Sequence, residues 1–179
     1  MSQSINKYLF VDGSVNPQQK IGFGAYLLLD ENDINNDINK NDIKTKFFED
    51  TSSTKLELQI LLYAFNTIAP KGYKLIIYTD CQNILTLTSR RDTLEKNNYL
   101  TKTNKVIKNT LEYKEFFSLI DLYDCEFIKL KGHKKKSTKD TIDQIFSLVD
   151  KRARVSLRNY IKNKTVYDLC DAKCDGIVL

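Results

Sequence analysis

The chain has 179 residues and a mass of 20.8 kDa, with 41% hydrophobic residues and a net charge of +5. This length favours a single domain, and the composition excludes a disordered chain, a collagen and a coiled coil. Because there is no run of 18 apolar residues and no secretory leader, we expect neither a membrane span nor secretion. The four cysteines then predict reduced thiols and a cytoplasmic location.

The positive charge is concentrated in the C-terminal third of the chain. Residues 129–164 contain twelve Lys or Arg against three Asp, whereas residues 30–50 contain seven acids against three Lys. A segment this basic favours an anionic partner, and a nucleic acid is the first candidate. The alternative is that these charges only keep the surface soluble.

The predicted elements follow one another in the order βββαβααβα. β-Branched and aromatic runs predict strands at residues 7–11, 22–29, 46–50, 73–78 and 125–130. Helically spaced apolar residues predict helices at residues 55–68, 82–89, 104–122 and 141–161. The polar segment 30–44 is expected to form a hairpin loop without a packing role. The order indicates an α/β fold with a five-stranded mixed sheet flanked by helices, in one domain over residues 1–164 with a C-terminal tail over residues 165–179.

Three acidic residues occupy positions that favour a functional site. Asp12 and Asp80 end the first and fourth predicted strands, and Glu57 lies in the first turn of a mostly apolar helix. If these two strands are parallel neighbours, Asp12 and Asp80 emerge at the edge where open α/β sheets bind ligands. Clustered carboxylates need a cation, and their hard oxygens suit Mg²⁺ or Mn²⁺. The alternative is that each Asp only caps a turn.

A fourth acid on the last predicted helix could complete this group. Asp143 and Asp150 lie two turns apart on a similar face, so periodicity does not choose between them. Asp150 is beside Val149 and Ala153, which favours partial burial at Asp150. The only histidine, His133, follows the last predicted strand, where a lone histidine is usually an ordinary loop residue.

Six short segments together resemble the type 1 ribonuclease H family over about residues 5–160. They are residues 11–14, 22–26, 52–59, 77–82, 131–133 and 149–154. The resemblance selects Asp150 over Asp143, because the last acid of the family precedes an Ala-Arg-like pair, here Ala153-Arg154. The sequence departs from the family pattern at Cys81, where Ser is common, and at residues 53–54, where an Asn pair is usual.

The resemblance implies a ribonuclease H-like fold and an enzyme that hydrolyses the RNA strand of RNA–DNA hybrids, leaving 5′-phosphate ends. Asp12 would bridge two Mg²⁺ ions, or Mn²⁺ in their place, while Glu57 and Asp80 would hold one ion and Asp150 the other. His133 would assist proton transfer or product departure. The residues expected to contact the nucleic acid are Ser14, Asn16, Ser52, Thr54, Gln82, Lys134, Lys135 and Lys136.

Two other functions stay open at this point. One is a nuclease of the same fold that acts on another nucleic acid, and the other is a non-catalytic nucleic-acid-binding module. The presence of all four acids argues against the binding module. Cys170 and Cys174 are too few to form a structural zinc site alone. We expect a monomer.

Overall fold

The structure, a computed structural model, describes residues 5–130 and 140–174, with the side chains of the last helix through Lys164. The strands are β1 Asn6–Asn16, β2 Ile21–Asp30, β3 Lys44–Phe48, β4 Lys74–Thr79 and β5 Cys125–Lys129. The helices are α1 Ser53–Ile68, α2 Gln82–Leu87, α3 Arg91–Lys96, α4 Thr110–Leu122 and α5 Thr141–Cys174. Within the described ranges, no helix is both long enough and apolar enough to cross a membrane.

The five strands form one mixed sheet in the order β3-β2-β1-β4-β5. β2 is antiparallel to β1 and β3, whereas β4 is parallel to β1 and β5. The predicted five-stranded mixed sheet and the parallel pairing of the first and fourth strands are therefore confirmed. The parallel pairing of β1 with β4 stops at Phe10, but its antiparallel pairing with β2 continues to Asn16. Asp12 therefore lies within β1, just past its parallel stretch, and the prediction that it ends the strand was wrong.

Helices cover both faces of this sheet. α1 packs on β1 and β2 together with α4, around buried residues such as Leu58, Phe65 and Phe116. α5 packs on the opposite face, where Val149 and Ala153 are buried against the strands. The two helices that carry acidic candidates thus approach β1 from opposite sides.

The segment between β2 and β3 has a packing role, contrary to the prediction. Ile43 is buried in the core under α5, and Ile34 and Ile38 pack against the same core. These isoleucines are scattered among Asp, Asn and Lys, so the overall polarity of the segment concealed them. They attach the connection to the sheet.

The helical regions differ from the prediction at two places. Asn104 and Asn109 have positive φ angles of 55° and 62°, so the chain forms a loop before α4 and the helix begins at Thr110. The short helix α3 fills part of the preceding gap and was not predicted. The last helix, α5, continues to Cys174, beyond the predicted end near residue 161 and past the predicted boundary of the tail.

Two glycines let α1 approach the sheet closely. Gly13 and Gly24 face each other across β1 and β2. A Cβ atom at Gly24 would lie 2.4 Å from Ile60 Cβ, and one at Gly13 would lie 2.9 Å from Leu56 Cδ2. This close approach also brings Glu57 next to β1, since its Cγ is 3.8 Å from the position that a Cβ of Gly13 would occupy.

We expect Gly24→Ala to destabilise the protein by about 1–3 kcal/mol, because overpacking a well-filled interface forces backbone shifts. The shortest of its clashes with Ile60 is with Cβ, which is fixed to the backbone of α1 and cannot rotate away. Urea denaturation followed by circular dichroism measures the effect. Adding Ile60→Ala should not restore stability, because alanine keeps the offending Cβ. A restored double variant would show that the outer methyl groups of Ile60 cause the clash.

Candidate active site

The four candidate acids come from four separate elements. Asp12 lies in β1, Glu57 in the first turn of α1, Asp80 directly after β4 and Asp150 on α5. The negative charges of Glu57, Asp80 and Asp150 all raise the pKa of Asp12, so the four carboxylates share one neighbourhood. This neighbourhood is the edge of the sheet at which the parallel stretch of β1 and β4 ends.

Asp12 is at the centre of the acidic group. Its Oδ1 accepts a hydrogen bond from the N–H of Gly13 at 2.7 Å. Burial is the largest cause of a raised pKa at Asp12; the Gly13 hydrogen bond opposes the rise and the three neighbouring carboxylates add to it, so that the pKa of Asp12 is about 8. Without a cation, the ionised form of Asp12 is therefore destabilised in the folded protein.

This shift predicts how the stability of the metal-free protein depends on pH. The pKa of Asp12 is about 8 in the folded protein against an ordinary value of 3.8. Protonated Asp12 therefore favours the folded state, and its contribution is complete below pH 4 and lost as the pH rises through 8. We expect the free energy of unfolding in EDTA to fall over this range more in wild type than in Asp12→Asn. Urea denaturation of both proteins at pH 5 and pH 9 measures the free energies of unfolding. An equal change between the two pH values in wild type and Asp12→Asn would contradict the prediction.

Glu57 is held by groups that the sequence did not assign to the site. Cys81 is buried, and its thiol is hydrogen-bonded to the Glu57 carboxylate. Burial raises the pKa of Glu57 and the charge of Asp80 raises it further, while hydrogen bonds from the Cys81 thiol and the Ser53 hydroxyl lower it. The backbone N–H of Cys81 donates to Thr79 Oγ1 at 3.1 Å, which fixes the turn after β4. Cys81 thus connects the Asp80 turn to Glu57.

The two acids on α5 have different surroundings. Asp140 Oδ1 accepts the N–H of Asp143 at 2.8 Å, and Asp143 Oδ2 accepts the N–H of Asp140 at 3.3 Å, which is a reciprocal cap at the start of α5. Asp150 instead pairs with Arg154, one turn further along the helix. Asp150 is partly buried, as expected, but Asp143 is buried more deeply, so burial does not distinguish the two acids. The two acids differ in their effect on Asp12: of the two, only Asp150 raises the pKa of Asp12.

The chemistry of this group fits a hard divalent cation. All four candidate ligands are carboxylates, the donors that Mg²⁺ and Mn²⁺ prefer, and the repulsion around Asp12 is the kind that a cation relieves. Among the described residues, no three Asp, Glu, Cys or His side chains are close enough together to hold a metal ion as they stand. Two of the acids are turned to other partners, Asp150 to Arg154 and Glu57 to Cys81.

Four of the predicted nucleic-acid contacts lie on β1 and at the start of α1. Ser14 and Asn16 are on the same face of β1 as Asp12, since side chains alternate along a strand. Asn16 Oδ1 accepts the N–H groups of two residues in the following turn, at 3.1 and 3.2 Å, so its oxygen is engaged. Ser52 and Thr54 are exposed at the start of α1, which also carries Glu57.

The fifth, Gln82, is oriented by a residue from another strand. Lys129, at the end of β5, donates from Nζ to Gln82 Oε1 at 2.5 Å. Because an ammonium group has no acceptor, the amide oxygen must face Lys129 and the amide NH₂ faces away. Gln82 is the second residue after Asp80, so these donors lie beside the acidic group. Lys129 is 47 residues distant in sequence, which is why no local pattern indicated it.

The remaining predicted site residues lie in residues 131–139, outside the described part of the chain. They are His133, Lys134, Lys135 and Lys136. Among the contacts that sequence reasoning missed, only the Asp150–Arg154 pair had a local signal, the four-residue spacing of opposite charges on one helix.

The sheet order, the helices on both faces and the acidic edge define an α/β domain of the ribonuclease H-like class. The sequence pattern of the RNase H family matches residues 5–153. The chain therefore belongs to the RNase H family, a family of nucleic-acid hydrolases.

Individual relatives agree with this membership. A ribonuclease H from Clostridium botulinum (strain Hall) is 25% identical over 108 residues, which cover 59% of this chain and 71% of that protein. The solution structure of the PFV RNase H domain matches with a TM-score of 0.65 at 13% identity, covering 84% of this chain and 93% of that one. LC9-RNase H1, described as a type 1 RNase H with the type 2 active-site motif, matches with a TM-score of 0.56 at 18% identity, covering 73% and 64%. The two structural matches confirm the fold.

Proposed function

We propose that the protein is a metal-dependent endoribonuclease that hydrolyses the RNA strand of RNA–DNA hybrids and leaves 5′-phosphate ends. The observation that carries the proposal is the action of three carboxylates, from α1, α5 and the end of β4, on the half-buried Asp12 in a chain of the RNase H family. Carboxylates that repel one another are stabilised by a bound cation, which supports a metal-binding role for this group.

Asp12, Glu57, Asp80 and Asp150 are the residues that would hold two Mg²⁺ ions, with Mn²⁺ as a substitute. Asp12 would be shared between the ions, Glu57 and Asp80 would hold one, and Asp150 the other. When bound, two such ions supply activation of a water and stabilisation of the leaving 3′ oxygen in an in-line displacement. The contribution of the chain is to hold four carboxylates at one edge and to orient the substrate.

The polar residues around the acids suit a duplex that contains RNA. RNA displays its 2′-hydroxyls in a wide, shallow minor groove, which short polar side chains can reach. Ser14, Asn16, Ser52 and Thr54 would contact sugar or phosphate. The outward NH₂ of Gln82 supplies donors for acceptor atoms in this groove. Lys134, Lys135 and Lys136 would contact phosphates, which position a duplex without reading its bases.

The experiment that tests the proposal is a cleavage assay with three labelled substrates. The full chain is incubated with an RNA–DNA hybrid, duplex RNA and duplex DNA of one sequence, with Mg²⁺ or with EDTA. We expect cleavage of the RNA strand of the hybrid alone, abolished by EDTA, with products that carry a 5′-phosphate. Cleavage of another substrate would indicate a nuclease with a different specificity. Binding without cleavage of any substrate would indicate a non-catalytic module.

We propose that His133 assists proton transfer or product departure and is not a metal ligand, since Mg²⁺ prefers oxygen donors. Because general acid–base assistance contributes about 10²–10⁴-fold, His133→Ala should slow turnover by an amount in this range, less than the loss of Asp12 does. The affinity of the His133→Ala variant for Mg²⁺ should be unchanged. Turnover rates and a metal titration on this variant measure both effects. Loss of metal binding would make His133 a ligand, and wild-type kinetics would make it an ordinary loop residue.

We further propose that the protein acts as a monomer in the cytoplasm. Among the described residues Cys81 and Cys125 are free thiols, which fits a reducing compartment. Sedimentation of the purified chain with and without hybrid would measure its oligomeric state.

A further inference from the structure

α5 carries a row of cations that begins beside the acidic group. Asp150 is followed at helical spacing by exposed basic residues, and we call this row the α5 stripe: Lys151, Arg154, Arg158 and Lys162. Residues spaced three and four apart lie on the same side of a helix, so the four side chains form one line. Residues 151–164 contain six Lys or Arg and no acid.

The α5 stripe is held in a fixed position relative to the sheet. On the other side of the helix, Val149, Ala153 and Leu157 are buried against the strands. Tyr160 extends this contact, because its ring stacks on Phe47 at 4.6 Å between ring centroids. The packed side thus continues to the last part of the stripe, which restricts the directions that Arg158 and Lys162 can face.

Most of the stripe is available to an external anion. Arg154 pairs with Asp150, which joins the stripe to the acidic group. Among the described residues, Lys151, Arg158 and Lys162 have no carboxylate within ion-pairing distance. A row of exposed cations without carboxylate partners creates a positive potential that attracts an anion.

We infer that the α5 stripe binds the phosphate backbone of the duplex where it extends beyond the cleavage point. This inference rests on the proposed function, since it takes Asp150 as part of the cutting site. The twelve residue steps from Asp150 to Lys162 span about 18 Å at 1.5 Å per step. This length matches about five phosphates along one strand. A continuous row of phosphates is the anion that fits a row of cations of this length.

The test compares two double variants that remove the same charge from different sides of α5. Arg158→Gln with Lys162→Gln changes the stripe, and Arg152→Gln with Lys164→Gln is the matched control. Arg152 lies on a different side of the helix from Arg158 and Lys162, at a cavity of about 170 Å³ that it lines with Ile43, Leu148 and the first stripe residue, Lys151. Fluorescence anisotropy in EDTA measures binding of a labelled 20-base-pair hybrid at several KCl concentrations. Circular dichroism checks that all proteins are folded.

We expect the stripe variant to bind roughly tenfold more weakly at 0.1 M salt and to lower the slope of log affinity against log salt by about 1–2, because two phosphate contacts are lost. The control variant should stay within about twofold of wild type. Equal losses in both variants would show a response to net charge alone and would overturn the inference. Unchanged binding of the stripe variant would also overturn it, by making the stripe a solvated surface.

Substrate length provides a second readout, which a folding defect would not reproduce. Hybrids shortened stepwise from either end should lose the difference between wild type and stripe variant once fewer than about five base pairs remain beyond the cut on one side. A difference that persists at every length would contradict the proposed position of the stripe. Failure of wild type to cleave the hybrid, with the binding difference intact, would reject the proposed function and the assignment of a cutting site, while leaving the stripe as a duplex-binding surface.

Discussion

Asp12→Asn should lower the rate of hybrid cleavage about a thousandfold or more while the protein stays folded and still binds the duplex. Asp12 is the acid on which all three other carboxylates act, and it is the one proposed to be shared between two ions. Losing a shared ligand removes several kcal/mol of transition-state stabilisation, and each 1.36 kcal/mol is a factor of ten in rate. Single-turnover cleavage with excess enzyme measures the rate, and anisotropy measures binding.

The same substitution should stabilise the metal-free protein. A neutral amide in place of Asp12 removes the repulsion from the other acids and the cost of burying a charge. Thermal unfolding in EDTA at pH 8 should therefore show a higher midpoint for Asp12→Asn than for wild type. A lower midpoint would indicate that the carboxylate has a structural role instead.

The matched control is Asp30→Asn, at the far end of the same hairpin. Asp30 pairs with Lys7 near the surface, and this substitution should leave cleavage within about twofold of wild type. Glu57→Gln and Asp80→Asn should behave like Asp12→Asn in cleavage. An Asp12→Asn protein with more than a few per cent of the wild-type rate would reject the two-metal proposal.

The placement of Asp12 and Asp80 at one edge could be predicted because it depends on strand order alone. Apolar runs identify β1 and β4, and acids near the ends of neighbouring parallel strands meet at one edge. The exact position of Asp12 could not be read in this way. β1 continues past Asp12 because β2 still pairs with it, and the turn-forming residues 12–14 are accommodated inside the strand by the facing glycines, Gly13 and Gly24.

Contacts between distant segments were beyond the reach of sequence patterns. The hydrogen bond from Cys81 to Glu57 joins two elements across the core, and the one from Lys129 to Gln82 depends on β5 lying beside β4. No local periodicity in the sequence indicates such a contact. The same reason explains Ile43, whose burial depends on α5, about 100 residues later in the chain.

The choice between Asp143 and Asp150 shows where physical reasoning from the sequence stopped. Both acids lie on one helix at a similar angle, and burial alone favours Asp143, which is only 5% exposed. The backbone explains why: Asp143 completes the cap of α5, and this role puts it under the first turn. The resemblance to the family selected Asp150, and the electrostatic contact of Asp150 with Asp12 supports that selection.

Asp150→Asn should lower hybrid cleavage about a hundredfold or more, whereas Asp143→Asn should stay within about twofold of wild type. The asparagine at 150 loses the charge of a proposed ligand. At position 143 an amide oxygen can still accept the capping hydrogen bond. Asp143→Asn should therefore lower the free energy of unfolding by at most about 1 kcal/mol and leave the catalytic step unchanged.

Arg154→Gln separates the two ways in which Asp150→Asn could act. If Asp150 matters only through its pair with Arg154, breaking the pair from the arginine side should reproduce the hundredfold loss. If Asp150 is a ligand, Arg154→Gln should keep most of the single-turnover cleavage rate at saturating enzyme, although its loss from the α5 stripe weakens duplex binding. It should bind Mg²⁺ at least as tightly as wild type, because the carboxylate is released from a competing cation. Cleavage rates and Mg²⁺ titrations of the three variants decide between these alternatives. Equal losses at Asp143 and Asp150 would contradict the assignment of Asp150 to the site.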